Sequence, residues 1–241
     1  MRDYAKELEQ RVDFIRKTLA EAGAEGVVYG NSGGKDCTLV GILCRKACDK
    51  VLSVMLPCSS SRNFGIDLED AKAVCEQFGI PSVTVDLTPV REAMLAALPE
   101  NSVTPAALSN IAPRLRMTAL YALAQSRNSL VAGTGNRSEA YLGYFTKWGD
   151  GAHDFNPIAD LTVREIYEFL AFLGAPERII TKAPSAGLFE GQTDEGEMGI
   201  TYAEVDEFLL NGKAAPEALK KIEDMHKKSE HKRTPIPTFK G

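Results

Sequence analysis

Apolar residues recur three and four apart through Tyr4, Leu8, Val12, Ile15 and Leu19 and stop before Gly23, a spacing that predicts an amphipathic entry helix closed by glycine. A short apolar run, Gly26-Val27-Val28-Tyr29-Gly30, then leads through a Gly/Ser turn into a helical pattern from Lys35 to Ala47. This strand, loop and helix order returns in Lys50–Leu56 with Asp67–Phe78, and a third strand is expected at Ser82–Leu87. Helical segments over 89–98 and 105–126 precede a fourth strand, Ser129–Gly133. Continuous apolar strands alternating with helices of ten or more residues predict a parallel sheet covered on both faces. Such sheets bind ligands beyond the carboxyl ends of their strands, so the loops after Tyr29 and Val131 are the places to look. From Gly143 to Ile200 the chain is loop-rich, with one helix expected from Thr162 to Leu173 and Gly174 as its stop.

Composition narrows the function. The balance of 28 Lys+Arg and 33 Asp+Glu gives a charge of −5 and argues against a partner held by phosphate neutralisation, such as a nucleic acid. Seven acids and no Lys or Arg fall between residues 190 and 210, whereas the tail from Lys220 is Lys-rich. The five cysteines, Cys37, Cys44, Cys48, Cys58 and Cys75, form no C-x-x-C pair and read as reduced thiols. No apolar stretch approaches the ~18 residues of a membrane span, and Met1–Glu7 alternates charges without a signal-peptide core, so the expected compartment is the cytosol.

Gly30-Asn31-Ser32-Gly33-Gly34-Lys35-Asp36-Cys37 lies between a strand and a helix, where backbone N–H groups and the helix dipole form an anion nest suited to phosphate. It is neither a Walker A loop nor a Rossmann fingerprint, because the glycine spacing fails both. An acid at Asp36 would repel phosphate unless a cation lies between them, which predicts Mg²⁺. Gly133-Thr134-Gly135-Asn136-Arg137-Ser138-Glu139 closes the fourth strand in the same manner. The two loops read as walls of one nucleotide site, with Glu139 the second metal ligand.

These motifs resemble the NAD synthetases, members of the N-type ATP pyrophosphatase family. The resemblance spans almost the whole chain. It rests on Ser32-Gly33-Gly34-Lys35-Asp36-Cys37, on Asn110 to Met117 (N-x-x-A-R-x-R-M), on Gly133 through Glu139 into Gly143-Tyr144-Phe145-Thr146-Lys147-Trp148-Gly149-Asp150-Gly151, on Lys182 to Leu188, on Gln192 to Glu195, and on His231-Lys232-Arg233 with Pro235. It implies one domain over 1–241, comprising an N-terminal helix, an ATP pyrophosphatase core, and C-terminal helices and tail. The implied fold is an α/β doubly wound parallel sheet, a Rossmann-like three-layer sandwich of the adenine nucleotide alpha hydrolase type. The implied activity is that of a ligase, in which ATP adenylates deamido-NAD and ammonia then displaces AMP to give NAD. Glutamine-dependent relatives carry a further amidase domain, for which 241 residues leave no room, so free ammonia is the expected donor.

By resemblance the loop Gly30, Asn31, Ser32, Gly33, Gly34, Lys35, Asp36 and Cys37 binds ATP, with Asp36 and Glu139 on Mg²⁺. Thr134 and Ser185 match ATP contacts, and Lys182 supplies a cation near the phosphates, so Asp36, Thr134 and Lys182 are the expected catalytic set. Arg114, Lys147, Asp154, His231 and Lys232 match positions that hold deamido-NAD, and a homodimer is implied with that substrate near the interface. The chain departs from the pattern at Cys37, usually Ser, at Val163, where some members carry Lys, and at Pro113. His153 and His226 match no motif. The competing readings are a tRNA thiolase, a GMP synthetase-like ATPase, and a nucleotide sensor without chemistry.

Overall fold

A computed structural model of the chain describes residues 2–60, 64–100, 102–182 and 193–239. Helix α1 (Tyr4–Ala22) is capped by Asp3, whose carboxylate accepts from the Lys6 N–H, and ends at Gly23 in the left-handed conformation, φ 63°. Strands β1 (Gly26–Gly30), β2 (Val51–Met55), β3 (Ser82–Thr84) and β4 (Ser129–Ala132) form one parallel sheet in the order β3-β2-β1-β4.

Alternation along β1 sends Val27 and Tyr29 to one face and Val28 to the other. The first face packs on α1, α2 (Lys35–Ala47) and α8 (Val163–Phe172) through Ile15, Leu39, Leu43 and Phe169, all fully buried. Burial of each such side chain stabilises the fold by ~1.5–3 kcal/mol. The other face packs on α6 (Ile111–Gln125) through Ala112 and Ala124. Between these lie α3 (Ile66–Phe78), α4 (Thr88–Ala97), α5 (Pro105–Ser109) and α7 (Arg137–Leu142). A third cluster joins α7 and α8 to α10 (Asp194–Met198), α11 (Tyr202–Asn211) and α12 (Pro216–Lys228).

The expected α/β parallel sheet is therefore present, with three local differences, the first being that the strand expected over Ser82–Leu87 spans only Ser82–Thr84. The single helix expected over 105–126 divides at Asn110. The Asn110 amide donates back to the Ala106 carbonyl and accepts from Thr146 Oγ1 at 2.5 Å, offering the chain an alternative to a continuous helix. The loop-rich stretch also contains α9 (Glu177–Ile180) and α10 besides the expected helix. The tail is docked: Ser229 Oγ donates to the Leu142 carbonyl at 3.0 Å, and Lys232 Nζ donates to the Gly143 and Phe145 carbonyls at 2.7 Å each. No helix among the described residues is long and apolar enough to cross a membrane.

Candidate active site

A cleft of about 990 Å³ opens at the carboxyl ends of β1 and β4, where the strand order reverses. Its walls include Gly30, Asn31, Ser32, Gly34, Lys35, Asp36 and Cys37 from the first loop, with Gly133, Thr134, Gly135 and Glu139 from the second. The two loops that sequence pairs as one site thus face the same space.

The first loop is shaped by Asn31. Its amide donates to Ser53 Oγ at 3.0 Å, and its carbonyl accepts from the Gly33 N–H at 3.0 Å and the Cys37 thiol at 3.2 Å. Gly33 has φ +70°, and a Cβ there would stand 2.2 Å from the Asp67 carbonyl oxygen, so only glycine admits the first turn of α3 against the loop. Helix α2 begins directly after Gly34 and aims its N-terminus into the cleft.

Asp36 and Glu139 come together across the cleft. Asn136 Nδ2 donates to Asp36 Oδ1 at 3.0 Å, and the Asn136 backbone N–H donates to Glu139 Oε2 at 3.1 Å, so one residue braces both carboxylates. Withdrawal from water and the Asp36 charge together push the Glu139 carboxyl up to about 8. The Lys35 ammonium meets Asp36 Oδ2 at 2.8 Å and lies 5.6 Å from the Tyr202 ring centroid. Burial alone would lower its pKa, but Asp36 and Glu139 outweigh burial and keep it charged. Cys37 is a neutral thiol, its pKa raised by burial.

Lys182 lines the cleft beside the loop, and Lys232 lines it from the tail. Ser185 lies outside the described residues. Arg114, Lys147, Asp154 and His231 are not among the described residues that line the cleft. Three of them form a chain outside it: Arg114 donates to the Lys147 carbonyl at 3.3 Å, and Lys147 Nζ donates to the His231 carbonyl at 2.6 Å. Asp154 accepts from the Val131 N–H at 2.7 Å and the Tyr121 hydroxyl at 3.2 Å, which ties it to β4 and α6.

Sequence reasoning assigned no role to several residues of the lining, among them Arg116, His153 and Asp67. Arg116 lines the cleft with its Nε donating to the Leu56 carbonyl at 3.0 Å. Its signal was the second Arg of the R-x-R pair, since residues two apart on a helix diverge and only one of Arg114 and Arg116 can face inward. His153 packs its ring against the Gly133 backbone, where a Cβ would come within 2.5 Å. Nothing in the local sequence pointed to it.

A family model described as NAD synthase matches residues 7–236. The chain is 45% identical over 237 residues to an NH(3)-dependent NAD(+) synthetase of Carboxydothermus hydrogenoformans, with 96% of each sequence covered. Among solved structures, an NMN synthetase from Francisella tularensis superposes with a TM-score of 0.93 at 38% identity, over 99% of both chains. An NH3-dependent NAD synthetase from Campylobacter jejuni, in complex with nitrate, superposes with a TM-score of 0.81 at 31% identity, over 100% of both.

Proposed function

The chain belongs to the NAD synthase family, and from that premise we propose how the cleft carries out the reaction. The activity is ATP-dependent amidation of deamido-NAD to NAD, the work of a ligase, with ammonia as the nitrogen donor. The observation that supports a site for it is the pairing of Asp36 and Glu139 across an anion-binding loop.

A carboxylate is a poor electrophile, so its oxygen first attacks the α-phosphorus of ATP and the bond to pyrophosphate breaks. The ammonia lone pair then attacks the activated carbonyl carbon, the C–O bond to AMP breaks, and nitrogen gives up a proton. Two steps need stabilised charge on phosphate oxygens, which the loop N–H groups, the α2 N-terminus and Lys35 supply without reorganisation. Thr134, beside Gly133 and Gly135 on the opposite wall, offers a hydroxyl to the same phosphates.

The donor set fits Mg²⁺. Carboxylates from the two facing loops meet there and the Asp36 charge raises the Glu139 carboxyl, a conflict that a divalent cation relieves, and Mg²⁺ commonly takes one or two carboxylates plus phosphates. When bound, it supplies Lewis-acid charge to the transferring phosphoryl oxygens. Asp36 and Glu139 would hold it, and Asn136 orients both.

The deamido-NAD end is assigned to Lys232 on the cleft wall and to Arg114, Lys147, Asp154 and His231 beyond it. A second copy of the chain would extend that surface. In support, α4 has no buried residue, and Val90, Met94 and, on β3, Val83 leave their side chains exposed. The free cysteines and the ATP requirement suit the cytosol.

The deciding experiment mixes protein, ATP, Mg²⁺, ammonium and deamido-NAD labelled with ¹⁸O in its carboxylate. Adenylation requires label in AMP, and unlabelled AMP would refute it. A second reading rests on the NMN synthetase match, whose TM-score of 0.93 exceeds the 0.81 of the NAD synthetase. The same assay with nicotinate mononucleotide ranks the two acids by kcat/KM.

A further inference from the structure

Lys182 reaches the phosphate loop from outside it, and its ammonium is fully committed. It meets Asp67 Oδ1 at 2.7 Å, Asp70 Oδ2 at 2.8 Å and the Gly33 carbonyl at 3.4 Å, three acceptors for the three N–H donors an ammonium has. Gly33 belongs to the loop, and both acids stand on the first turns of α3, which touches the loop at that glycine. The Asp70 side chain is only 3% exposed, and its other oxygen lies 3.0 Å from Arg178 Nε as an ion pair without hydrogen-bond geometry. Asp67, 11% exposed at the cleft wall, is held less deeply.

A cation in this state cannot donate to a phosphate without releasing one of its acceptors. Its charge is also offset by the two carboxylates, so the anion nest lacks Lys182's full field until that release occurs. We propose that Asp67 and Asp70 are positioning residues for Lys182. They hold its ammonium at the loop while the cleft is empty, yield it to phosphate oxygens when ATP enters, and take it back as pyrophosphate leaves. No bond is made or broken in the exchange. Its effect is to limit how tightly the nest holds its polyphosphate product, which a helix N-terminus, Lys35 and an unopposed Lys182 would together retain. This inference rests on the reading of the cleft as an ATP site.

The test is calorimetric binding of inorganic pyrophosphate, in the presence of Mg²⁺, to wild type, Asp67→Asn, Lys182→Met and the double variant, with thermal unfolding as the check on folding. Asp67→Asn is expected to bind pyrophosphate about tenfold tighter, equivalent to ~1.4 kcal/mol. Lys182→Met should bind it several-fold more weakly, and adding Asp67→Asn to Lys182→Met should restore nothing. In turnover, Asp67→Asn should lower KM for ATP and kcat together. Unchanged or weaker binding by Asp67→Asn overturns the proposal. So does an equal gain in the Lys182→Met background, because removal of a negative charge would then explain it without Lys182. Should Asp67→Asn not fold, unchanged pyrophosphate binding by Lys182→Met overturns the proposal alone. Because no step needs deamido-NAD, a protein that binds pyrophosphate as expected yet amidates nothing would sink the substrate assignment and leave this inference standing.

Discussion

Helices α7 and α8 begin with the same device and end in opposite electrostatics. In each, a capping box joins the N-cap side chain to a glutamate three residues on: Asn136 with Glu139, and Thr162 with Glu165. The glutamate oxygen accepts from the N-cap N–H at 3.1 Å in the first and 2.9 Å in the second. Glu165 also meets Arg2 Nε at 2.7 Å. Arg2 continues to Asp160 at 3.0 Å, and Arg11 closes the network to Asp160 at 2.7 Å and Glu7 at 2.6 Å. Burial pushes the Glu165 and Asp160 carboxyls up, but hydrogen bonds and the two guanidiniums outweigh it and hold both below their ordinary values. Glu139 has Asp36 where Glu165 has Arg2, and stands at about 8. A completed ion network braces α1 against α8. An anion pair with one shared lysine is arranged for a cation and for phosphate.

The largest effect should come from breaking the second arrangement. Asp36→Asn and Glu139→Gln are each expected to lower kcat by about two to three orders of magnitude, the ~2.7–4 kcal/mol typical of lost charge stabilisation at a reacting centre. Both variants should still fold, because Asn and Gln keep the hydrogen-bond acceptors toward Asn136, although Asp36→Asn takes a carboxylate from buried Lys35 and Glu139→Gln removes a group whose ionisation costs metal-free stability. Steady-state rates at saturating Mg²⁺, with unfolding curves beside them, check both. Full turnover in either variant would remove that residue from the metal site.

Breaking the first arrangement should reverse the pattern. Arg11→Ala strips Glu7, Asp160 and the Pro157 carbonyl of a buried donor, and should destabilise by roughly 2 kcal/mol, about 5 °C in Tm for a chain this long, with kcat nearly unchanged. A kcat loss with little loss of stability would mean that the network also shapes the Gly133–Gly135 loop, where Asn156 Nδ2 donates to the Gly135 carbonyl at 2.8 Å.

The two regions should also differ in the sign of their pH dependence. Asp160 and Glu165 titrate below their ordinary values in the folded chain. Their stabilisation is therefore complete above the unfolded values and disappears as pH falls through the folded ones. Glu139 is raised from 4.5 to about 8, so metal-free stability should decline as pH rises between those values and level off above them. Tm measured from pH 3 to 9 should fall at the acid end less steeply in Arg11→Ala, and at the alkaline end less steeply in Glu139→Gln. Parallel curves for wild type and both variants would contradict the assignment.

What could be read from sequence follows the range of each signal. Helix α2 and the phosphate loop were legible because Gly, Ser, Lys and Asp at a strand end act within a few residues of one another. The distinction between Glu139 and Glu165 was not local: it depends on Asp36, 103 residues upstream, and on Arg2, 163 residues upstream. Which of Arg114 and Arg116 faces the cleft was not legible for a related reason, since a motif does not say which way a helix is rotated. The family resemblance drew attention to Lys182, whereas its acids on α3 were not legible, because only the fold brings Asp67 and Asp70 to it.

The smallest effect is expected inside the site itself, and it tests whether completed contacts, rather than location, mark a structural residue. Cys37 sits in the phosphate loop, yet its thiol is fully engaged, with Asn31 Oδ1 at 3.2 Å, the Gly34 carbonyl at 3.1 Å and Ser32 Oγ at 3.4 Å. Burial keeps it protonated, so it is neither a nucleophile nor a metal ligand, and ATP already activates the carboxylate. A serine hydroxyl would donate to the same acceptors more strongly than a thiol does. Cys37→Ser should therefore retain kcat within about threefold and stability within ~0.5 kcal/mol, and iodoacetamide should leave wild-type Cys37 unlabelled by intact mass in the folded protein. Loss of activity in Cys37→Ser together with labelling of Cys37 in the wild type would give the thiol a chemical role and break the rule drawn from the two capping boxes.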